Sequence, residues 1–234
     1  MNICLIPARS GSKRLKNKNI KNFFGKPIIA YTIKTAIKSK LFDEVIVSTD
    51  SNKYISIAKK YGATVPFLRS KKLSSDYARD VDVIKDFIKK YKRNKISIKT
   101  LCYLYPINPL LKKSTLIKCF KKIKKKNIDK VITLKKFTYP IQRSYFKNNK
   151  GKFIVTNKKY FMKRSQDLQT FYHDAAQCYW YKIQKKLKFF KKTAFITDGI
   201  ELNQFESYDV DVQEDMENLK KIYKYRLHNK FINK

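Results

Sequence analysis

The chain has 234 residues and a formal net charge of +37, from 55 lysines and arginines against 18 acidic residues. Hydrophobic residues make up 43% of it, which excludes disorder of the whole chain and predicts one large domain over residues 1–234. No run of about 18 apolar residues occurs and the four cysteines form no Cys-x-x-Cys pair, so we expect no membrane helix, zinc site or disulfide framework.

The first part of the chain alternates short apolar runs with helical patterns. This order predicts an α/β fold with a mostly parallel sheet and right-handed crossovers. The apolar run at 3–6 predicts the first strand, and a basic loop follows it. The later elements are predicted as a helix at 27–40, a strand at 44–49, a helix at 52–61 closed by Gly62, a short strand at 64–68, a helix at 77–91, a strand at 100–105, a helix at 114–126 and a strand at 130–134.

The pattern changes after residue 137. Residues 138–173 are rich in aromatic and polar side chains without a helical period, so we interpret them as an excursion from the single domain. Within the excursion, 153–156 predicts one strand of a hairpin. Strand character returns at 177–183, a short apolar segment follows at 194–197, and 213–231 predicts a long helix.

The loop after the first strand carries four fixed cations, Arg9, Lys13, Arg14 and Lys18. Ligands of open α/β sheets bind outside the carboxyl ends of strands, and a loop with Gly11 and two serines can bring N–H groups close to phosphate oxygens. The loop is neither a Walker A motif nor a dinucleotide fingerprint. The loop therefore predicts an anion site of another kind, and the alternative is a solvated basic loop.

An acidic island near the end of the chain breaks the basic pattern. Residues 198–217 contain eight of the 18 acidic residues and no lysine or arginine. Three of them suit the first turn of the last helix. Asp209 and Asp211 lie instead in the alternating segment 208–212, which predicts a strand with both carboxylates on one face. Such carboxylates repel unless a cation lies between them, and Mg²⁺ fits because it binds one or two carboxylates together with phosphate oxygens.

The residue order also resembles a known family. Pro-Ala-Arg-Ser-Gly-Ser-Lys-Arg at 7–14, Lys-Asn-Ile at 18–20 and Gly-Lys-Pro at 25–27 look like the opening of the CMP-nonulosonate cytidylyltransferases, which activate acidic sugars with CTP. The resemblance covers 3–219. It implies a Rossmann-like nucleotidyltransferase fold with a twisted sheet, and a homodimer formed through 138–173. The segments 139–143, 164–168 and 172–177 resemble the pseudaminic acid branch; sialic, legionaminic and 3-deoxy-octulosonic acids are the alternative substrates.

The resemblance implies roles residue by residue. Catalysis and Mg²⁺ binding fall to Asp209 and Asp211, with Lys13 as a further catalytic residue. The sequence departs from the family pattern at Ile107, where relatives usually carry a hydroxyl residue. The implied nucleotide-binding residues are Ala8, Arg9, Ser12, Lys13, Arg14, Lys18, Asn19, Arg69, Ser75, Asp76 and Ala78. The implied sugar-acid residues are Gln142, Arg143, Arg164, His173 and Asp174; for His173 a structural role is an equal alternative.

The high positive charge leaves a second class of function open. Clustered lysines and arginines bind nucleic acid by releasing counterions. Here they are spread along nearly the whole chain, which favours a compositional origin and makes nucleic acid an unlikely partner. A basic RNA-binding protein and a non-catalytic relative nevertheless stay as alternatives. The sequence begins directly with a strand pattern rather than a signal-peptide layout, so we expect a cytoplasmic protein.

Overall fold

A computed structural model describes residues 1–93, 96–183 and 196–232, with side chains up to residue 228. The strands are β1 (Asn2–Pro7), β2 (Asn22–Phe23), β3 (Lys26–Pro27), β4 (Glu44–Ser48), β5 (Thr100–Leu104), β6 (Lys130–Lys136), β7 (Tyr145–Lys147), β8 (Phe153–Val155), β9 (Tyr172–Lys182) and β10 (Thr197–Leu202). The helices are α1 (Ile29–Ser39), α2 (Asn52–Lys60), α3 (Asp80–Arg93), α4 (Lys113–Ile123), α5 (Lys158–Phe161) and α6 (Gln213–Ile232). No helix of the described part is long and apolar enough to cross a membrane.

Six of these strands form the central sheet, in the order β10-β6-β9-β5-β1-β4. β1 pairs in parallel with β4 and β5, and β10 pairs in parallel with β6. β9 lies between β5 and β6 and is antiparallel to both. Five strands therefore run in one direction, which confirms the predicted mostly parallel α/β sheet.

The apolar runs of the central strands are buried on both faces of the sheet. In β1, Ile3 and Leu5 point towards a cluster that contains residues of α3, whereas Cys4 and Ile6 join the cluster of α1, α2 and α4. The period-two geometry of a strand produces this division, and helices on both faces explain why the run lacks polar positions. All four cysteines are buried in the second of these clusters as free thiols.

A third apolar cluster joins the two ends of the chain. Leu15 of the N-terminal loop and Phe23 of β2 pack in it with Val210, and with Met216 and Leu219 of α6. The residues are almost completely buried. Burial of apolar side chains is worth about 1.5–3 kcal/mol each. This cluster therefore holds the segment before α6 against the N-terminal loop.

Several predicted elements differ from the structure. The strand at 64–68 is wrong, since only Thr64 forms a bridge, to Ile46, and Pro66 has no N–H for a continued ladder. The strand at 208–212 is also wrong, because the N–H groups of Asp211 and Val212 donate to Asp215 rather than to a neighbouring strand.

Other helix and strand boundaries differ from the predicted ones by a few residues. The helix predicted from residue 77 begins at Asp80, and the helix predicted from residue 27 begins at Ile29 because Pro27 pairs with Asn22 in a short hairpin. The predicted hairpin strand at 153–156 is confirmed as β8, which pairs with β7. Of the apolar segment at 194–197, residues 194 and 195 lie outside the described residues, and β10 begins at Thr197.

Candidate active site

A cavity of about 250 Å³ opens at the carboxyl ends of β1 and β5. Eleven of the predicted site residues line it: Arg9, Ser12, Lys13, Arg14, Lys18, Asn19, Arg69, Ser75, Ala78, Asp209 and Asp211. Two others support it from outside the lining. Ala8 is buried and donates its N–H to the Ser48 carbonyl, and Asp76 lies beside the loop cations. The N-terminal cations and the C-terminal acidic pair thus face the same cavity.

The N-terminal loop is held in shape by side chains that follow other strands. Asp50, just after β4, accepts hydrogen bonds from the N–H of Ser10 at 2.8 Å and from its hydroxyl at 3.1 Å. Asn19 is buried and donates from Nδ2 to the Arg9 carbonyl at 3.0 Å. These bonds fix the backbone of the loop, so the cationic side chains extend from defined backbone positions.

Asp76 forms ion pairs with two of the loop cations. Its carboxylate lies 2.6 Å from Nη1 of Arg9 and 2.7 Å from Nζ of Lys13. Hydrogen bonds from Lys13 and then from Arg9 lower the pKa of Asp76 below its ordinary value. Asp76 therefore stays ionised and keeps both cations at the cavity.

Asp211 forms ion pairs with the other two cations. Its carboxylate lies 2.9 Å from Nη1 of Arg14 and 3.2 Å from Nζ of Lys18. Lys18 also donates to the carbonyl of Val210 at 2.7 Å, so one side chain ties the N-terminal loop to the acidic segment. Asp215 accepts from the N–H groups of Asp211 at 2.8 Å and of Val212 at 3.0 Å. These two backbone bonds lower the pKa of Asp215.

A buried arginine and two tyrosines also line the cavity. Arg69 is only 6% exposed, and its Nε and Nη2 have no hydrogen-bond partner among the side chains and backbone that the structure describes. Burial lowers the pKa of Arg69, which the charge of Asp50 partly opposes. The hydroxyls of Tyr103 and Tyr105 both donate to Asp80, at 2.6 and 2.8 Å.

The five predicted sugar-acid residues do not line this cavity. Gln142 donates to the Gln169 carbonyl, and Arg143 donates to the Ser165 hydroxyl. Arg164 pairs with Asp167 at 2.8 Å. All three belong to the excursion.

His173 and Asp174 lie at the start of β9. The His173 ring packs edge-on against Phe137. Asp174 accepts hydrogen bonds from the N–H of Ala176 at 2.8 Å and from the Tyr179 hydroxyl at 2.9 Å. Ala176 itself lines the cavity with a positive φ of 48°, so Asp174 stabilises a strained turn in the wall.

The sequence analysis missed Asp80, Tyr103 and Tyr105. The strand-end rule could have found the tyrosines, because they flank Leu104, the last residue of β5. Asp80 falls within the helix predicted at 77–91, so the sequence pattern does not indicate that it lies at a site. Its place on the cavity depends on α3 beginning three residues later than the periodicity indicated.

Comparison with known proteins agrees with this geometry. Residues 3–233 match a family described as cytidylyltransferase. A pseudaminic acid cytidylyltransferase of Campylobacter jejuni is 36% identical over 233 residues, covering 98% of this chain and 99% of the relative. An N-acylneuraminate cytidylyltransferase of Streptococcus agalactiae is 32% identical over 225 residues, covering 91% of this chain and 51% of the relative.

A solved structure supports the fold. A CMP:2-keto-3-deoxy-manno-octonic acid synthetase complexed with CTP superimposes with a TM-score of 0.70 over 96% of this chain and 99% of its own, at 13% identity. The mostly parallel sheet and the cavity at its carboxyl edge are typical of α/β nucleotide-binding enzymes, and the matching relatives define the class as nucleotidyltransferase. Within that class, the chain belongs to the cytidylyltransferase family, which confirms the resemblance seen in the N-terminal loop.

Proposed function

We propose that this chain transfers CMP from CTP to the anomeric hydroxyl of pseudaminic acid and releases pyrophosphate. One observation carries the proposal: four loop cations and the pair Asp209 and Asp211 line a single cavity, although almost 200 residues separate them. The 36% identical Campylobacter jejuni relative supports the choice of sugar acid.

The loop cations would hold the triphosphate. In the structure Asp76 and Asp211 pair with Arg9, Lys13, Arg14 and Lys18, which leaves a net positive charge at the cavity. A triphosphate carries more negative charge than the two carboxylates and offers the same bidentate bonds to guanidinium, so it would compete for these cations. Lys13 and Arg14 would stabilise the charge on the departing pyrophosphate, which is the main way a protein assists phosphorus transfer.

Asp209 and Asp211 suit a magnesium ion. Both offer hard carboxylate oxygens at the cavity, and no cluster of three or more metal-binding side chains exists in the part of the chain that the structure describes. Mg²⁺ usually takes few protein carboxylates and completes its shell with phosphate oxygens and water. Such an ion would neutralise phosphate charge. Asp211 would then exchange Arg14 and Lys18 for the ion and release both cations to the phosphates.

The excursion would supply the sugar-acid site and the contact with a second copy. Large apolar side chains are exposed on it, among them Tyr139, Phe146, Phe153 and Met162. Exposed apolar surface of this kind marks an interaction site. Arg143 and Arg164 lie on the same excursion, away from the cavity of their own chain, and either guanidinium suits a sugar carboxylate. We propose a homodimer in which the excursion of one copy completes the cavity of the other.

The test is release of pyrophosphate from CTP and Mg²⁺ in the presence of pseudaminic acid, with sialic, legionaminic and 3-deoxy-octulosonic acids assayed in parallel. Asp209→Asn and Asp211→Asn should lower kcat/KM at least 100-fold, and they should weaken binding of Mn²⁺, followed by its paramagnetic resonance. Asp82→Asn is the matched control, because Asp82 pairs with Arg79 and does not line the cavity. No release with any of the sugar acids would overturn the proposal.

An RNA-binding function is the alternative from another class. It predicts tight, salt-sensitive RNA binding that survives loss of both Asp209 and Asp211. The proposed reaction requires CTP, so we place the protein in the cytoplasm, where nucleoside triphosphates are available.

A further inference from the structure

The two proposed metal ligands lie on a segment without regular secondary structure. Residues 203–212, between β10 and α6, form no helix or strand, and they carry Asp209 and Asp211. Backbone groups away from water need hydrogen-bond partners, and this segment has no strand ladder to supply them. The direction of both carboxylates therefore depends on the side chains that hold the segment.

One of these side chains is Lys135 of β6. It is only 9% exposed, and its Nζ donates to the carbonyl of Ser207 at 2.7 Å. Ser207 is buried as well and lies two residues before Asp209. Hydrogen bonds of charged groups are stronger than those between neutral groups, so Lys135 fixes this carbonyl firmly.

The second side chain is Gln177 of β9, the strand that neighbours β6 in the sheet. Gln177 is 1% exposed, and its Nε2 donates to the carbonyl of Glu206 at 2.8 Å. Its own backbone carbonyl accepts from the Tyr105 N–H at 3.2 Å and from Nδ2 of Asn108 at 3.1 Å. Gln177 thereby joins the segment to the loop that follows β5 at the cavity.

Two consecutive carbonyls are thus held from two neighbouring strands. This arrangement fixes the position and the orientation of the peptide between Glu206 and Ser207. A chain spans at most about 3.6 Å per residue, so the Cα of Asp209 stays within about 7 Å of the Cα of Ser207. On the other side of Asp209, Val210 is buried in the third apolar cluster and its carbonyl accepts from Lys18. Asp209 is therefore held between two anchors.

A buried lysine is a costly way to gain stability alone. Burial lowers the pKa of Lys135, because the charged form is disfavoured away from water. Its Nζ donates to a backbone carbonyl rather than to a carboxylate, so no opposite charge compensates through that bond. An apolar side chain of the same length would be buried at lower cost. Residues that break such a rule are typical of functional sites.

We propose that Lys135 and Gln177 are positioning residues, which act on the reaction by holding the segment 203–212 at the cavity. Through the two carbonyls they aim Asp209 and Asp211 at the N-terminal loop. The inference rests on the proposed function, because it takes this acidic pair as the metal ligands.

Hydrogen exchange of the full chain without ligands, followed by mass spectrometry, tests whether the segment is held. Lys135→Met keeps the length of the side chain and removes the donor. The N–H groups at 207–212, two of which donate to Asp215, should exchange about tenfold faster, whereas β1 and β5 should keep the wild-type rate. Lys182→Met is the matched control and should change none of these rates, because Lys182 donates to the Lys125 carbonyl at the same 2.7 Å outside the cavity lining.

Binding of Mn²⁺ without CTP or sugar acid, followed by its paramagnetic resonance, tests whether the segment aims the acidic pair. Loss of a residue that orients metal ligands weakens metal binding about 10- to 100-fold, so Lys135→Met should raise the Kd for Mn²⁺ by about tenfold or more. Lys182→Met should leave that Kd within about twofold. A purely structural role would lower stability in urea without separating the Mn²⁺ affinities of the two variants. An unchanged Kd in Lys135→Met, no Mn²⁺ binding by the wild type, or faster exchange in β1 and β5 as well would overturn the inference.

Gln177→Met provides a second variant if Lys135→Met does not fold, as judged by circular dichroism. It removes the bond to the Glu206 carbonyl, so the same local exchange and the same loss of Mn²⁺ affinity should follow. Loss of the fold in both variants would assign the two side chains to stability and overturn the inference. Neither measurement needs a sugar acid, so failure of pyrophosphate release would contradict the proposed function without deciding the role of these residues.

Discussion

At the scale of single residues, the site is built from cations that already have carboxylate partners. Asp76 and Asp211 each hold two of the loop cations, at 2.6 to 3.2 Å. Without those carboxylates, four cations on one short loop would repel each other. The pairing therefore keeps the charges at the cavity at a low cost, and a triphosphate can replace the carboxylates with little rearrangement of the backbone.

Lys18 gives the first prediction. Lys18→Met removes the bond to the Val210 carbonyl and the ion pair with Asp211, which both join the loop to the acidic segment. Lys18 would also donate to a phosphate oxygen of bound CTP, and hydrogen bonds of charged groups are worth about 1.5–3 kcal/mol, so the Kd for CTP should rise about 10- to 100-fold in a calorimetric titration. Lys16→Met changes an exposed lysine of the same loop outside the cavity lining. Equal losses in the two variants would contradict the role of Lys18.

At the scale of elements, short connections determine where a helix ends and which residues then reach the cavity. α2 ends at Lys60, and Gly62 follows with a φ of 91°, a left-handed conformation that disfavours side chains. The turn sends the chain back along β4, where the Thr64 N–H donates to the Val45 carbonyl. This return brings Arg69 to the carboxyl edge of the sheet, where its N–H donates to the Thr49 carbonyl.

Gly62→Ala should destabilise the protein by about 1–2 kcal/mol, the cost of a left-handed non-glycine residue. The added Cβ would also come within 3.0 Å of the Ile37 side chain. Urea unfolding measures the change. Gly11→Ala is the control, since nothing lies within 4 Å of its Cβ position and its backbone is not left-handed. A loss below about 0.3 kcal/mol for Gly62→Ala would show that the turn adapts.

The ion pair between Asp198 of β10 and Lys122 of α4 predicts a dependence of stability on pH. The hydrogen bond from Lys122 at 2.6 Å lowers the pKa of Asp198 below its ordinary value. A carboxyl whose pKa is depressed by folding stabilises the protein above the pKa of its unfolded form, and that stability is lost as the pH falls through the folded pKa. Asp198→Asn should therefore cost up to about 1 kcal/mol at pH 7 and progressively less below pH 4.

The check is urea unfolding of the wild type and Asp198→Asn between pH 7 and pH 3. In a Lys122→Met background the Asp198→Asn change should cost less at pH 7 than it does in the wild type, because only the bond from the Gly199 N–H then remains. A cost that stays constant with pH would contradict the assignment to this ion pair.

At the scale of the whole molecule, the charge of +37 acts over long distances, whereas the exposed apolar side chains of the excursion act only on contact. The positive field attracts anionic substrates over long distances, whereas the excursion presents short-range contacts. Two copies of so basic a chain repel each other, so a dimer needs a large apolar contact.

Sedimentation equilibrium should show the wild type as a dimer in 0.15 M salt. Phe146→Glu and Phe153→Glu alter opposite faces of the β7–β8 hairpin, and at least one should shift the protein to a monomer, because a buried unpaired charge is costly. Tyr77→Glu is the control, being an exposed aromatic change outside the excursion. A wild-type monomer, or dimers in all three variants, would overturn the proposed interface.

The sequence by itself determined most of the helices and strands in their order, the mostly parallel sheet, the cationic loop and the acidic pair. These features are local: a period of two or 3.6 residues, a run of apolar residues and the composition of one loop all act over a few neighbours. The resemblance in residues 7–27 added the family, because it depends on the order of residues and not on contacts across the chain.

Only the tertiary structure decided which further residues join the predicted ones in the cavity lining. Residues 208–212 alternate like a strand, yet the buried Val210 and the bonds to Asp215 hold them as an irregular segment before α6. Asp80 meets Tyr103 and Tyr105 only because α3 packs beside β5. Contacts between residues far apart in the chain depend on packing and on competition for backbone hydrogen bonds, and no local pattern in the sequence records either of them.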